Sequence, residues 1–276
     1  LTTQTLRVGP WTVAFRGLDA ALAAALQERW GPFAGAADAG EPAVRVEVQE
    51  TSPDAGLGHW SPGERYRVEA VPGPGIPAVR SYGFVLTATA PGTFALGLVP
   101  GVEEPATRRL DNAARLLVAR LALGAGGFAM HAAGVLDGTR AHVLAGPSRS
   151  GKTTAVAALR WPSLGDDFAV VVPRGNDGWA AVATPFDNAE AVPASAPTGA
   201  WPLAAVWRLA QEPSGALRTL PATAAATVLT ACAAFPWALP DMAEPLVTAT
   251  VRCAREVRCG VLAFAPDTDL RALLAG

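Results

Sequence analysis

The chain has 276 residues, half of them apolar and only 17% charged, which excludes a disordered polypeptide and leaves room for one large domain or two modest ones. A net charge of −2, with no block of Lys or Arg, argues against nucleic acid as a partner. The three cysteines, Cys232, Cys253 and Cys259, suit neither a zinc site nor a disulfide framework by number or spacing, so they are expected as idle thiols in a reducing cytoplasm.

Residues 1–104 read as an α+β accessory module in the order β-α-β-β-β. Residues 6–15 suggest a strand broken at Gly9-Pro10, and residues 18–30 an amphipathic helix stopped by Gly31-Pro32. Residues 43–49 alternate apolar and polar, as a half-exposed strand does. Further strands are expected over 66–71, 78–88 and 93–99, with turns at residues 72–75 and at Pro91-Gly92. His59, Trp60, Arg65 and Arg80 are the only side chains here with chemistry to offer, and packing or surface roles suit each better.

Residues 105–276 read as a second unit. Residues 105–124 predict a helix with Leu110, Ala113, Leu116, Leu117 and Leu121 inward and Arg108, Arg109, Asp111 and Arg115 outward. A buried strand follows over 128–136, then a hairpin turn at Asp137-Gly138 and a strand over 141–145. Strands are expected over 164–173, 179–184 and 202–209, a helix over 222–234, a strand-forming segment over 251–264, and a last helix capped by Asp267 or Thr268. The uncharged stretch 219–240 is bounded by Pro221 and Pro240 and is weakly apolar, so it reads as a buried helix and not a membrane span. No basic run followed by an apolar run opens the chain, so no leader is expected.

The run Gly146-Pro-Ser148-Arg149-Ser150-Gly151-Lys152-Thr153-Thr154 fits G-x-x-x-x-G-K-[ST], with a strand before it and a helix after it. Gly146 and Gly151 let the backbone turn tightly and aim N–H groups at phosphate oxygens. Lys152 then reaches the β- and γ-phosphates, and the Thr153 hydroxyl can coordinate Mg²⁺. The remaining loop residues, Ser148, Arg149, Ser150 and Thr154, complete the nucleotide contact. A dinucleotide fingerprint is absent from any strand–helix junction.

Three features in order resemble the HPr kinase/phosphorylase family, which is related to ATP-dependent phosphoenolpyruvate carboxykinase. They are a strand carrying His131-Ala-Ala-Gly134, the hairpin-fed phosphate loop, and the pair Asp166-Asp167 ahead of an apolar strand. The stretch from Val257 to Asp267 also resembles the closing strand and helix of HPr-kinase-like proteins. Two departures stand out: Arg149 occupies a position where the family often has Gly, and Lys152 and Asp166 lie about one helical turn closer in sequence. The resemblance implies an α/β P-loop kinase domain with a mixed sheet over 105–276, preceded by the α+β module over 1–104. It also implies ATP and Mg²⁺ as cofactors, Asp166 as catalytic base, Asp167 on the metal side beside Thr153, and His131 facing the phosphates. Arg140, Arg174 and Arg208 are further candidates to clamp a phosphate, and residues 184–186 resemble a loop near the acceptor.

The reaction expected on this basis is transfer of the ATP γ-phosphate to a hydroxyl, most plausibly a serine of a protein or peptide. A nucleotide-binding regulator without turnover, or a small-molecule kinase, are the alternatives. Self-association is also compatible with the module's lack of visible chemistry.

Overall fold

A computed structural model describes residues 1–35, 41–58, 66–71, 78–147, 149–187, 191–235 and 240–275. The turn expected at 72–75, the candidates His59, Trp60 and Arg65, and the loop residue Ser148 lie outside those residues. Two mixed sheets and the helices packed on them give an α/β architecture.

The first sheet has eight strands. A hairpin of β1 (Thr2–Val8) and β2 (Trp11–Leu18) turns at Gly9-Pro10, where Gly9 takes φ +55°. Helix α1 (Ala20–Trp30) follows, capped by the Asp19 side chain, which accepts from the Leu22 amide at 2.7 Å. Strands β3 (Ala34–Gly35), β4 (Val44–Glu50), β5 (Glu69–Val71), β6 (Ala78–Arg80), β7 (Phe84–Ala90) and β8 (Thr93–Leu98) complete the sheet in the order β3-β1-β2-β4-β8-β7-β6-β5. The strand expected over 78–88 is in fact two, because Ser81-Tyr82-Gly83 turns the chain back so that β6 and β7 pair antiparallel. The strand expected over 66–71 begins only at Glu69.

Helix α2 (Ala106–Gly124) lies between the sheets. It touches β2, β7 and β8 on one side, and on the other β9 (Phe128–Met130) and β13 (Ala169–Pro173) of the second sheet. One apolar core therefore runs from Leu6, Phe15 and Phe84 through Leu110 and Leu117 to Phe128 and Val170, across the expected boundary at residue 104.

The second sheet also contains β10 (Ala132–Asp137), β11 (Arg140–Ala145), β12 (Ser163–Gly165), β14 (Trp179–Val182), β15 (Ala200–Gln211), β16 (Ala216–Thr219) and β17 (Arg258–Phe264). Its order is β12-β10-β11-β15-β14-β13-β9, with β17 between β15 and β16. Strand β15 joins two parts: its first residues pair antiparallel with β14, and the remainder lies parallel to both β11 and β17. The continuous strand expected over 128–136 is broken at His131, because β9 pairs with β13 whereas β10 pairs with β11.

Helix α3 (Lys152–Leu159) packs on one face of this sheet with α6 (Leu270–Ala275), burying Leu159, Trp207, Leu262 and Phe264 in a second, smaller core. Helices α4 (Ala222–Ala231) and α5 (Ala243–Glu256) pack against each other. The strand-forming reading of 251–264 holds only from Arg258. Residues 251–256 are the last turns of α5, because Leu246, Ala249, Thr250, Cys253 and Ala254 make a buried stripe at helical spacing. Among the described residues, no helix is long and apolar enough to cross a membrane.

Candidate functional site

The β10–β11 hairpin places the site. Its register pairs Ala132 with Ala145, so His131 and Gly146, one residue beyond each, emerge at the same end. There the chain turns into the Gly146–Gly151 loop and then into α3. A Cβ on Gly146 would sit 2.4 Å from Ser150 Oγ, so the loop closes this tightly only on glycine. Gly151 takes φ +96°, and its Cα faces the Phe264 ring so closely that a Cβ would lie 2.9 Å from Cζ. Arg149 takes φ +67°, which is the conformation glycine adopts without strain, and its carbonyl accepts from Gln211 Nε2 at 3.2 Å.

Lys152 opens α3 and is 92% buried, with Nζ donating to the carbonyls of Gly146 at 2.9 Å and Pro147 at 3.2 Å. Burial lowers its pKa, while the charges of Asp167, Cys232 and Asp166 oppose that shift. The first amides of α3 have no partners within the helix and carry the positive end of its dipole. The Ser150 hydroxyl is buried with no hydrogen-bond partner among the described residues. The loop and the start of α3 thus carry a cation, unpaired amides and an unmatched hydroxyl within a few residues of one another, which is a donor set for phosphate oxygens.

Asp166 and Asp167 sit between β12 and β13, just ahead of the apolar strand. Asp167 Oδ1 lies 3.0 Å from His131 Nδ1, and Asp167 Oδ2 lies 3.5 Å from Arg115 Nη1. A carboxylate only accepts, so Nδ1 carries the proton and Nε2 is left as an acceptor when the ring is neutral. Burial lowers the His131 pKa; the Asp167 carboxylate opposes it. The His131 amide donates to the Cys232 carbonyl at 2.7 Å.

Several side chains here escape the sequence reading. Arg115 and Asp111 do not face outward. Asp111 is 1% exposed and pairs with Arg29 of α1 while accepting from Trp30 Nε1 at 2.8 Å. Arg115 turns to the second sheet, where it donates to the Phe186 carbonyl at 3.2 Å and lies over the Phe186 ring. Helical periodicity gives a charged stripe at 108, 111 and 115 but does not say whether a partner faces it.

Asp187 is another such residue: its Oδ1 accepts from the Asp166 amide at 2.8 Å. Burial raises its pKa, the Asp166 amide lowers it, and the Asp166 charge raises it further. The Asp187 carbonyl in turn accepts from Arg29 at 3.3 Å and Arg108 at 3.1 Å. The segment 184–187 thus braces the Asp pair, with Thr184 and Phe186 buried. Cys232 follows α4 and lies beside Lys152 and Arg208; burial raises its thiol pKa and those two cations oppose it.

Of the three arginines singled out, Arg208 stands opposite Ala145 in register at the loop's entrance. Arg140 and Arg174 lie at turns at the other end of their strands. His142 is a core histidine that accepts from Trp207 Nε1 at 3.1 Å. Arg80 pairs with Glu69 at 3.7 Å, on the first sheet. Among the described residues, no cluster of three or more His, Cys, Asp or Glu side chains could hold a metal ion unaided.

Residues 109–260, more than half of the chain, match the family described as SynChlorMet cassette protein ScmC. The match runs from α2 into β17 and so includes Arg115, His131, the loop and both aspartates. No curated protein matches the chain.

Proposed function

We propose that this chain, which belongs to the SynChlorMet cassette protein ScmC family, is an ATP-dependent phosphotransferase with a P-loop kinase domain of the HPr kinase type. The acceptor is a hydroxyl, with a serine of a protein or peptide the best fit to the family resemblance. The observation that carries this reading is the convergence at one end of the β10–β11 hairpin. The loop cation Lys152, the pair Asp166-Asp167 and His131 come from three separate stretches of sequence and act on one another there.

The residues fit a nucleotide and Mg²⁺. Lys152 Nζ rests on the loop's own carbonyls, and the buried Ser150 hydroxyl is unmatched, so both have donor capacity for phosphate oxygens. Gly146 to Thr154 would hold the triphosphate. A small, hard cation is usually bound by one or two carboxylates plus phosphate oxygens, so the lack of a self-sufficient cluster is compatible with Thr153 and Asp167 as its protein ligands. When bound, Mg²⁺ supplies charge neutralisation at the phosphates.

The chain's own residues do the rest. Lys152 and the loop amides position and stabilise the developing charge. Asp166 accepts the proton of the attacking hydroxyl. Asp187 fixes the backbone from which Asp166 projects.

Titration calorimetry with Mg·ATP on wild type and Lys152→Ala, together with label transfer from γ-labelled ATP to candidate peptides, tests the reading. Lys152→Ala should lose at least about tenfold in affinity, or roughly 1.4 kcal/mol. Equal affinity in the two proteins refutes nucleotide binding at the loop. Binding without ATP consumption under any acceptor refutes the transferase and favours a nucleotide-binding regulator.

A further inference from the structure

The phosphate loop and the Asp pair are features of residues 131–187. Arg115 is not: it reaches them from α2, some fifty residues earlier than Asp167. Its side chain is 15% exposed, which is costly for a cation unless something fixed receives it.

Three contacts hold the guanidinium. Nη2 donates to the Phe186 carbonyl at 3.2 Å. The guanidinium lies over the Phe186 ring, 5.5 Å from its centroid, and that ring is itself edge-on against Phe168. Nη1 faces Asp167 Oδ2 at 3.5 Å. The first two contacts fix the guanidinium independently of Asp167. The third is longer than a charge-assisted hydrogen bond, so it orients the carboxylate electrostatically without occupying a lone pair of Oδ2. Nε is buried with no hydrogen-bond partner among the described residues. The other oxygen of Asp167 meets His131 Nδ1 at 3.0 Å. The carboxylate is therefore held from both ends and cannot rotate about its own axis without losing one support.

We infer that Arg115 is a positioning residue for Asp167: a cation fixed on Phe186 that, opposite His131, sets the carboxylate's orientation toward the metal–phosphate side of the site. The inference rests on the kinase reading above. Supports of this kind around a ligating carboxylate typically govern metal affinity or activity by ten- to hundredfold. Lysine does not replace the fork, because its single ammonium cannot serve both Phe186 and Asp167.

The test measures Mn²⁺ affinity by electron paramagnetic resonance on the full chain, in complex with a non-hydrolysable ATP analogue. Arg115→Met should weaken Mn²⁺ by about tenfold or more, while affinity for the analogue in EDTA stays within about twofold. Arg115→Lys should fall between. Arg120→Met on the same helix, whose partner is the exposed Asp241, should match wild type. Methylguanidinium at millimolar concentration should restore part of the Mn²⁺ affinity to Arg115→Ala, which it would not do for a side chain that only packs. Unchanged Mn²⁺ affinity in a folded Arg115→Met, or in Arg115→Lys where Arg115→Met does not fold, overturns the inference alone. A wild type that binds neither analogue nor Mn²⁺ overturns the kinase reading, and the inference falls with it.

Discussion

The buried pair Arg29–Asp111 joins the first sheet's helix to α2, and removing one partner measures how firmly the two halves are tied. Arg29 is 5% exposed and Asp111 1% exposed, and Asp111 also accepts from Trp30 Nε1 at 2.8 Å. Asp111→Asn keeps the size and an acceptor for Trp30 but takes the carboxylate away from the buried Arg29 guanidinium. Breaking such a pair from one side costs about 3–5 kcal/mol. Total stability of natural proteins is roughly 5–15 kcal/mol, so this is a large fraction. The melting temperature should fall by roughly 5–9 °C for a chain of this length. Replacing both partners, as in Arg29→Met with Asp111→Asn, takes the buried charge out while Asn keeps an acceptor for Trp30, and should recover much of the loss. Urea unfolding followed by tryptophan fluorescence and by far-ultraviolet circular dichroism gives the numbers. Because one core spans both sheets, the two probes should report a single transition in wild type. A loss under about 1 kcal/mol for Asp111→Asn, or a double variant as damaging as the sum of its parts, would refute this account of the pair.

Two further outcomes follow from the geometry. Burial lowers the His142 pKa, and its Nδ1 must stay unprotonated to accept from Trp207. The unfolded chain therefore binds a proton that the folded chain refuses, and stability should be lost as pH falls below about 6.5 toward the depressed folded value, by up to about 1.4 kcal/mol per pH unit. His142→Gln should flatten part of that loss in urea midpoints between pH 7.5 and 5.5, with His131, also lowered by burial, supplying the remainder; an unchanged slope counts against it. Gly151→Ala forces a side chain onto φ +96° and against the Phe264 ring at 2.9 Å, which should cost about 1–3 kcal/mol and weaken nucleotide binding about tenfold or more. Calorimetry and thermal melts matching wild type would refute it.

What the sequence made legible was local. Gly9-Pro10 marked a break in the first strand, but not that the chain reverses there into a hairpin of two strands. The β10–β11 hairpin and the loop were legible because Asp137-Gly138 and the Gly146/Gly151 spacing dictate backbone geometry within a few residues. The periodicity of 106–124 gave the helix and its apolar stripe.

Partner choice at long range was not legible. Arg115 and Asp111 carry charges that normally face water, and only the arrival of Phe186, Asp167 and Arg29 from elsewhere in the chain makes their burial tolerable. Asp187 was hidden for the same reason, since its carboxylate meets an amide 21 residues earlier in the chain. Helix α5 was hidden altogether: residues from Val251 onward read as strand-forming, and only the buried stripe from Leu246 to Ala254 decides for a helix. The break at His131 needed the pairing of β9 with β13, which no local pattern records.

The hairpin that delivers His131 and Gly146 to one end leaves Gly138 and Thr139 exposed at the other. Six paired residues separate the two ends, or roughly 20 Å at the rise of a β-strand. Register is set along the strands and not by the turn, so a tag or fluorophore spliced between Gly138 and Thr139 lengthens the reversal without displacing the pairs beside the loop. Tethered to a sensor surface by that tip, the protein would present its phosphate loop to the solution, in one orientation for every molecule.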